Sequence, residues 1–239
     1  MYGKICVKHF FETPGSTMTE TNIARGNGTR QVNKALRKQR ILDEARVLIA
    51  SKGFEAFTLS ELASRAGVSI PTIHNLFGKK QEVFEALCGE MVMRVDEAVS
   101  SPDLVDPMEA AEAFIDNLLA LYRDDETFYR AAFLAGDRSG LFEHQLPSGI
   151  FNRSLAIARQ MCQNAVENGY IESHIDLDWL AEQLFGCQRL ARQDWVNGYI
   201  DLDRYRKQVL IGMYITYASV AKPAFRKKLY KSIESIAID

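Results

Sequence analysis

Between Leu59 and Lys80 the chain reads LSELASRAGVSIPTIHNLFGKK, a run dense in short hydrogen-bonding side chains around one glycine and one proline. Thr72 and Asn75 stand three apart, a spacing that puts both on one face of a helix. Asparagine can make paired hydrogen bonds to adenine, and threonine offers a methyl to thymine or a hydroxyl to a base edge. This is recognition chemistry. Catalysis has no comparable signature: the chain lacks a G-x-S-x-G, a phosphate-cradling glycine loop, a paired carboxylate motif and a Cys/His pairing. His9, His74, His144 and His174 have no metal-ligand spacing. Cys6, Cys88, Cys162 and Cys187 make no C-x-x-C pair and read as reduced thiols of a cytosolic protein. No metal and no other cofactor is expected.

The elements around this run must position it. Thr58-Leu59-Ser60-Glu61 reads as a capping box, with Thr58 as N-cap and Glu61 three residues in. The helix it opens closes at Ala66-Gly67, Ser69 caps the next one, and Pro71 is tolerated in that helix's first turn. Gly67 supplies the left-handed turn, and Ala63 is small where two helices approach closely. Leu62, Ala66, Val68, Ile73 and Leu76 form an apolar seam that sets a steep crossing angle. Two short helices crossing steeply describe a helix-turn-helix, whose second helix lies in the major groove of DNA. An ordinary helical hairpin is the alternative.

Charge is distributed to match. The formal net charge is −2, yet residues 1–85 hold 13 Lys/Arg against 8 Asp/Glu while the rest hold 16 against 23. A basic end on an acidic body fits an end that meets phosphate. No apolar run approaches the roughly 18 residues of a membrane span, and no secretory signal is read at the start. Met18 is a second candidate for translation start.

The rest of the chain is helical in pattern, with no strand alternation, so the fold class is all-α. Residues 1–33 read as a flexible arm, 34–84 as the helix-turn-helix domain and 85–239 as a helical effector-binding and dimerisation domain. The helices near 178–197 and 202–221 are apolar over more than one stripe and carry Gly186, Ala191, Gly212 and Ala218 mid-helix. A helix with two apolar faces packs on its own core and on something else, here a second copy of the chain. A larger internal core is the alternative.

The segment RILDEARVLIASKGFEAFTLSELASRAGVSIPTIHNLFGKKQEVFEAL, Arg40 to Leu87, resembles the DNA-binding domain of the tetracycline-repressor (TetR) family. The resemblance implies a homodimeric transcriptional regulator, usually a repressor, released from a palindromic operator by a small molecule held in the C-terminal domain. Carried over by position, it implies that Thr58 caps onto a phosphate and that Ser60 and Ser69 lie near the duplex. Ile70, Pro71, Thr72 and Asn75 would face the major groove, and Lys80 would hold a phosphate at the start of the fourth helix. His74 stands where the family usually has tyrosine against the backbone; histidine can still donate to phosphate. Leu76 replaces a common histidine and reads as a seam residue. Arg25 and Arg30 of the arm are candidates for a minor groove, or else belong to a plain tail.

On the effector side, Phe114, Leu118, Leu121, Tyr122, Phe128, Phe133, Phe151, Met161 and Trp195 fall on inward helix faces. They line an apolar or aromatic pocket, or each is plain core. No run of Arg or Lys among them argues for a highly anionic effector. A helix-turn-helix protein without a small-molecule switch and, further off, an enzyme are the rival functions.

Overall fold

The computed structural model describes residues 20–99, 104–139 and 150–238. Ten helices occupy these residues: α1 Glu20–Ala56, α2 Leu59–Arg65, α3 Ile70–Leu76, α4 Lys80–Val99, α5 Pro107–Asp124, α6 Glu126–Ser139, α7 Ile150–Glu167, α8 Leu177–Val196, α9 Leu202–Val220 and α10 Pro223–Ile238. No strand forms among the described residues. One isolated bridge, Ile171 to Ala221, ties the turn before α8 to the turn before α10.

The chain divides into two compact units, Met1–Arg40 and Ile41–Asp239. The division expected between residues 84 and 85 falls inside the second unit, along α4. The helix α1 begins at Glu20, within the stretch read as an arm, while residues 1–19 lie outside the described ones. Side chains from 28 to 37 are exposed. Extending a helix by one residue is cheaper than nucleating one, so turns ahead of the packed part of α1 need no packing of their own.

From Ile41 onward the sequence dictates its burial. Ile41, Leu42, Ala45, Leu48 and Ile49 recur at helical spacing, and α1 buries them against Leu62, Ile73, Val83 and Phe84. Gly53 has φ 80 inside α1 and breaks it, turning Phe54 onto the Phe84 ring at a centroid distance of 4.6 Å. The C-terminal helices start on acidic caps. Met108 N donates to Asp106 at 2.8 Å ahead of Pro107, Asp178 N to Asp176 at 2.9 Å, and Arg204 N to Asp201 at 2.7 Å. Helix α6 runs through Gly136 to Ser139. Gly136 is buried there, and packing outweighs the roughly 1 kcal/mol a glycine costs inside a helix.

Two ties join the helix-turn-helix segment to the helices after it. One is the continuous α4. The other is Arg46 on α1, whose Nε lies 2.7 Å from Asp125 at the start of α6 and whose guanidinium carbon sits 4.6 Å over the Phe128 ring.

Candidate nucleic-acid interface and regulatory core

The turn between α2 and α3 is closed by backbone hydrogen bonds. Gly67 has φ 60; Gly67 N donates to Ser64 O at 3.3 Å and Val68 N to Ala63 O at 3.0 Å. These are the paired bonds of a Schellman ending, which requires a left-handed residue after the cap. Ser69 then accepts at Oγ from Thr72 N at 3.4 Å and starts α3. Leu62, Ala63, Ala66 and Ile73 are buried in the seam, with Val68 and Leu76 half-buried against it.

This packing leaves the other side of α3 open. Ile70, Pro71, His74 and Asn75 are exposed, as are Thr58, Ser60 and Ser69. Ile70 keeps 38% of its surface in contact with water, which an isoleucine with packing available would not. Thr72 is half-buried, and its hydroxyl lies 2.9 Å from that of Ser69, so its methyl is the part left to meet a partner. Thr58 Oγ1 accepts from Glu61 N at 3.2 Å, which leaves its own O–H to donate outward. Only half of the capping box forms. The Glu61 carboxylate pairs with Lys52 at 2.7 Å instead of returning to the backbone of Thr58.

Lys80 has a role the sequence did not announce. Its Nζ donates to Glu55 O at 3.0 Å and sits 4.7 Å over the Phe54 ring and 4.8 Å over the Phe57 ring. The break at Gly53 brings that carbonyl and those rings across the start of α4. An ammonium has three donors, so a phosphate contact would add to this cradle and use a side chain already held in place.

In the C-terminal helices, Tyr122, Phe133 and Trp195 meet Tyr129 and Tyr205 in one aromatic cluster. Tyr122 and Trp195 stack at 4.9 Å with 7° between their planes, and Trp195 Nε1 donates to Glu126 Oε1 at 3.0 Å. Burial raises the phenol of Tyr205 above its ordinary range, with the Arg192 charge and the Gln188 hydrogen bond pulling the other way. Leu118 is buried; Phe114, Leu121 and Met161 are half-buried at the edge of the core. Phe128 packs on Tyr129 of the cluster at a centroid distance of 5.4 Å and carries the Arg46 guanidinium over its ring. The side chain of Phe151 lies outside the described residues.

Three cavities among the described residues are lined by other side chains than these. One of about 370 Å³ is bounded by Glu126, Thr127, Arg130, Ala131, Leu134 and Val196. A second, about 260 Å³, lies between the Gly53 break and α6. The third, about 620 Å³, opens beside Tyr170, Phe225 and Lys228. Gln188 and Arg192, buried on the inner face of α8, were missed from sequence; the signal was a polar pair four apart in an otherwise apolar helix face.

The outer faces of α8 and α9 keep apolar side chains in water, Leu190 at 59% and Ile215 at 56% exposed. Gly212 faces inward instead. A Cβ there would lie 2.8 Å from Cys187 Sγ, so Gly212 permits the close approach of α9 to α8 within one chain.

The sequence pattern of bacterial regulatory proteins of the tetR family matches residues 41–87. The chain is 25% identical over 125 residues to the HTH-type transcriptional repressor KstR of Rhodococcus jostii, covering 51% of this chain and 59% of that protein. It is 37% identical over 81 residues to the HTH-type transcriptional repressor AcnR of Corynebacterium efficiens, covering 34% and 42%. The chain thus spans about half the length of the curated relatives it matches. A TetR transcription regulator from Haloarcula marismortui superposes with a TM-score of 0.65 at 13% identity, over 79% of this chain and 100% of that one. That likeness concerns the fold, an N-terminal helix-turn-helix followed by a helical bundle. Residues 41–87 thus carry the sequence pattern of bacterial regulatory proteins of the tetR family, and the helices behind them share the fold of a solved regulator of that type.

Proposed function

We propose that the chain is a homodimeric, sequence-specific DNA-binding regulator, a repressor that leaves a palindromic operator when a small apolar or aromatic effector binds its C-terminal helices. The observation that carries this reading is the open face of α3. Its side chains Ile70, Pro71, His74 and Asn75 stay in water above a fully packed seam. In a major groove that face would read base edges, with Ser60 near them and Thr58, Ser69 and Lys80 against the backbone. Two copies paired through α8 and α9 would set two such faces about 34–36 Å apart, one turn of duplex. The role is regulatory, with no catalytic step assigned to any residue, and no described helix is long and apolar enough to cross a membrane. We place the protein in the cytoplasm, where its operator would be.

Selection of bound genomic fragments tests the reading directly. One short palindrome should emerge, bound by a dimer, and binding should fall when Asn75 is changed. A chain that retains random fragments only, or that sediments as a monomer at micromolar concentration, would falsify it. A second reading, DNA binding without a small-molecule switch, draws on the packed aromatic cluster, where Tyr122 and Trp195 already stack face to face. Operator affinity insensitive to every small molecule that binds the chain would favour it.

A further inference from the structure

Apart from tyrosine and tryptophan, the described residues bury two polar side chains, Gln188 at 5% exposure and Arg192 at 6%. They stand four apart on α8 and share one face, with Trp195 three residues further on. Neither is satisfied. Gln188 Nε2 donates to the Tyr205 hydroxyl at 2.9 Å, which leaves Oε1 without a donor, and Arg192 Nε has no acceptor. The guanidinium carbon lies 4.9 Å over the Phe133 ring, and no carboxylate among the described residues pairs with it. A ring face is a weak substitute for an anion once a guanidinium has left water. An apolar side chain of similar size would fill this place at lower cost. The core therefore holds a guanidinium Nε–H and an amide oxygen for which the described residues supply no partner.

We propose that Arg192 and Gln188 anchor the effector, and that the effector is an apolar molecule bearing one carboxylate. This deepens the ligand-responsive reading above and rests on it. A planar guanidinium matches a carboxylate through two parallel hydrogen bonds, a fit that an ammonium does not offer. The orphan carbonyl of Gln188, one turn back, accepts a hydroxyl or N–H carried near the acid. Ala131, Leu134 and Val196 supply the wall for the apolar body. The cavity of about 370 Å³ reaches Val196, one turn beyond Arg192 and roughly 6 Å along the axis. Glu126 and Arg130 pair with each other at 3.8 Å on the rim of that cavity, so the acid is directed to Arg192 and the apolar body towards α6.

The test titrates the full-length chain with phenylacetate, cinnamate and decanoate, and with the primary amides of the same three acids. Calorimetry and melting temperature are read together. At least one acid should bind saturably and raise the melting temperature, and its amide should bind at least about tenfold more weakly. Arg192→Met should lose roughly 10- to 100-fold in affinity for the acid, and Arg192→Lys should fall between. The methionine variant should melt no lower than the parent, because an apolar side chain replaces a buried guanidinium whose Nε–H has no partner. Acid and amide binding alike, acid binding undiminished in Arg192→Met, or no saturable binding by any of the acids each overturns the inference. If Arg192→Met does not fold, the contrast between acid and amide on the unmodified chain decides. Operator affinity measured on the same samples separates the failures. A chain that answers neutral amides and releases DNA loses this inference alone, whereas one that binds DNA and ignores every small molecule loses the ligand-responsive reading with it.

Discussion

Arg46 Nε lies 2.7 Å from Asp125 Oδ2, joining α1 under the helix-turn-helix to the first turn of α6 across 79 residues of sequence. Asp125 also accepts from Phe128 N at 3.2 Å through its other oxygen, so one carboxylate caps α6 and holds α1. Through this carboxylate α1 is tied to α6, which flanks the aromatic cluster, in addition to the link along α4. The pair is partly exposed, so its worth in stability is modest. A double-mutant cycle of Arg46→Met and Asp125→Asn should give a coupling of about 0.5–1 kcal/mol in unfolding. Asp125→Ala should cost about 1 kcal/mol more than Asp125→Asn, because it removes the cap as well. Additive single mutants would show that α1 and α6 are not coupled here.

Gly67 offers a second check, on the turn itself. A Cβ built there meets nothing within 4 Å, so space is no obstacle to a side chain. The backbone is. With φ 60, Gly67→Ala should cost about 1–2 kcal/mol of stability, and Gly67→Asn less, since asparagine tolerates this region. Equal melting temperatures for all three chains would mean the turn relaxes out of the left-handed conformation.

Much of this was legible in the sequence, and the reason differs by region. The seam Leu62, Ala66 and Ile73 could be read because it is local: periodicity, a cap and one glycine fix it within fifteen residues or so. The roles of Lys80 and Arg46 could not. Each depends on a partner 25 or 79 residues away, Glu55 O and Asp125, and on a kink at Gly53 that no pattern marks as a carbonyl-presenting turn. The place of Gly212 could not be read for the same reason. Its smallness was visible, but whether it served a second chain or α8 of its own chain depended on the crossing of two helices.

The place of Gly212 decides how dimerisation should be probed. Gly212→Glu would drive a carboxylate into Cys187 and damage the protomer itself, so monomers from it would say little. Leu190 and Ile215 are the better handles, since both sit in water on the outer faces of α8 and α9. Leu190→Arg combined with Ile215→Glu should leave the melting curve of the protomer near its original position and shift sedimentation to the monomer. Affinity for a full palindrome should then approach that for a half-site. A dimer that persists unchanged would place the interface elsewhere.

The sharpest test separates reading from holding on the DNA itself. Asn75 is exposed on α3 with nothing to do for the fold, whereas Lys80 is tied into the Glu55 carbonyl and the Phe54 and Phe57 rings. Asn75→Ala should leave stability unchanged and cost about 1–3 kcal/mol on the cognate site, much less on random duplex, because it removes paired contacts to a base edge. Lys80→Ala should behave in the opposite way on every count. It should lower stability by about 1–2 kcal/mol through the lost hydrogen bond and cation–π contacts. It should weaken operator and scrambled DNA alike, and reduce the salt slope by roughly 1 per subunit, because phosphate is the same in every sequence. Anisotropy titrations of both variants on both duplexes, at several salt concentrations, read all of these effects. A Lys80→Ala chain that is less stable but keeps its salt slope would make the cradle purely structural. If Asn75→Ala and Lys80→Ala instead weaken both duplexes in the same proportion, α3 is not the helix that reads the sequence.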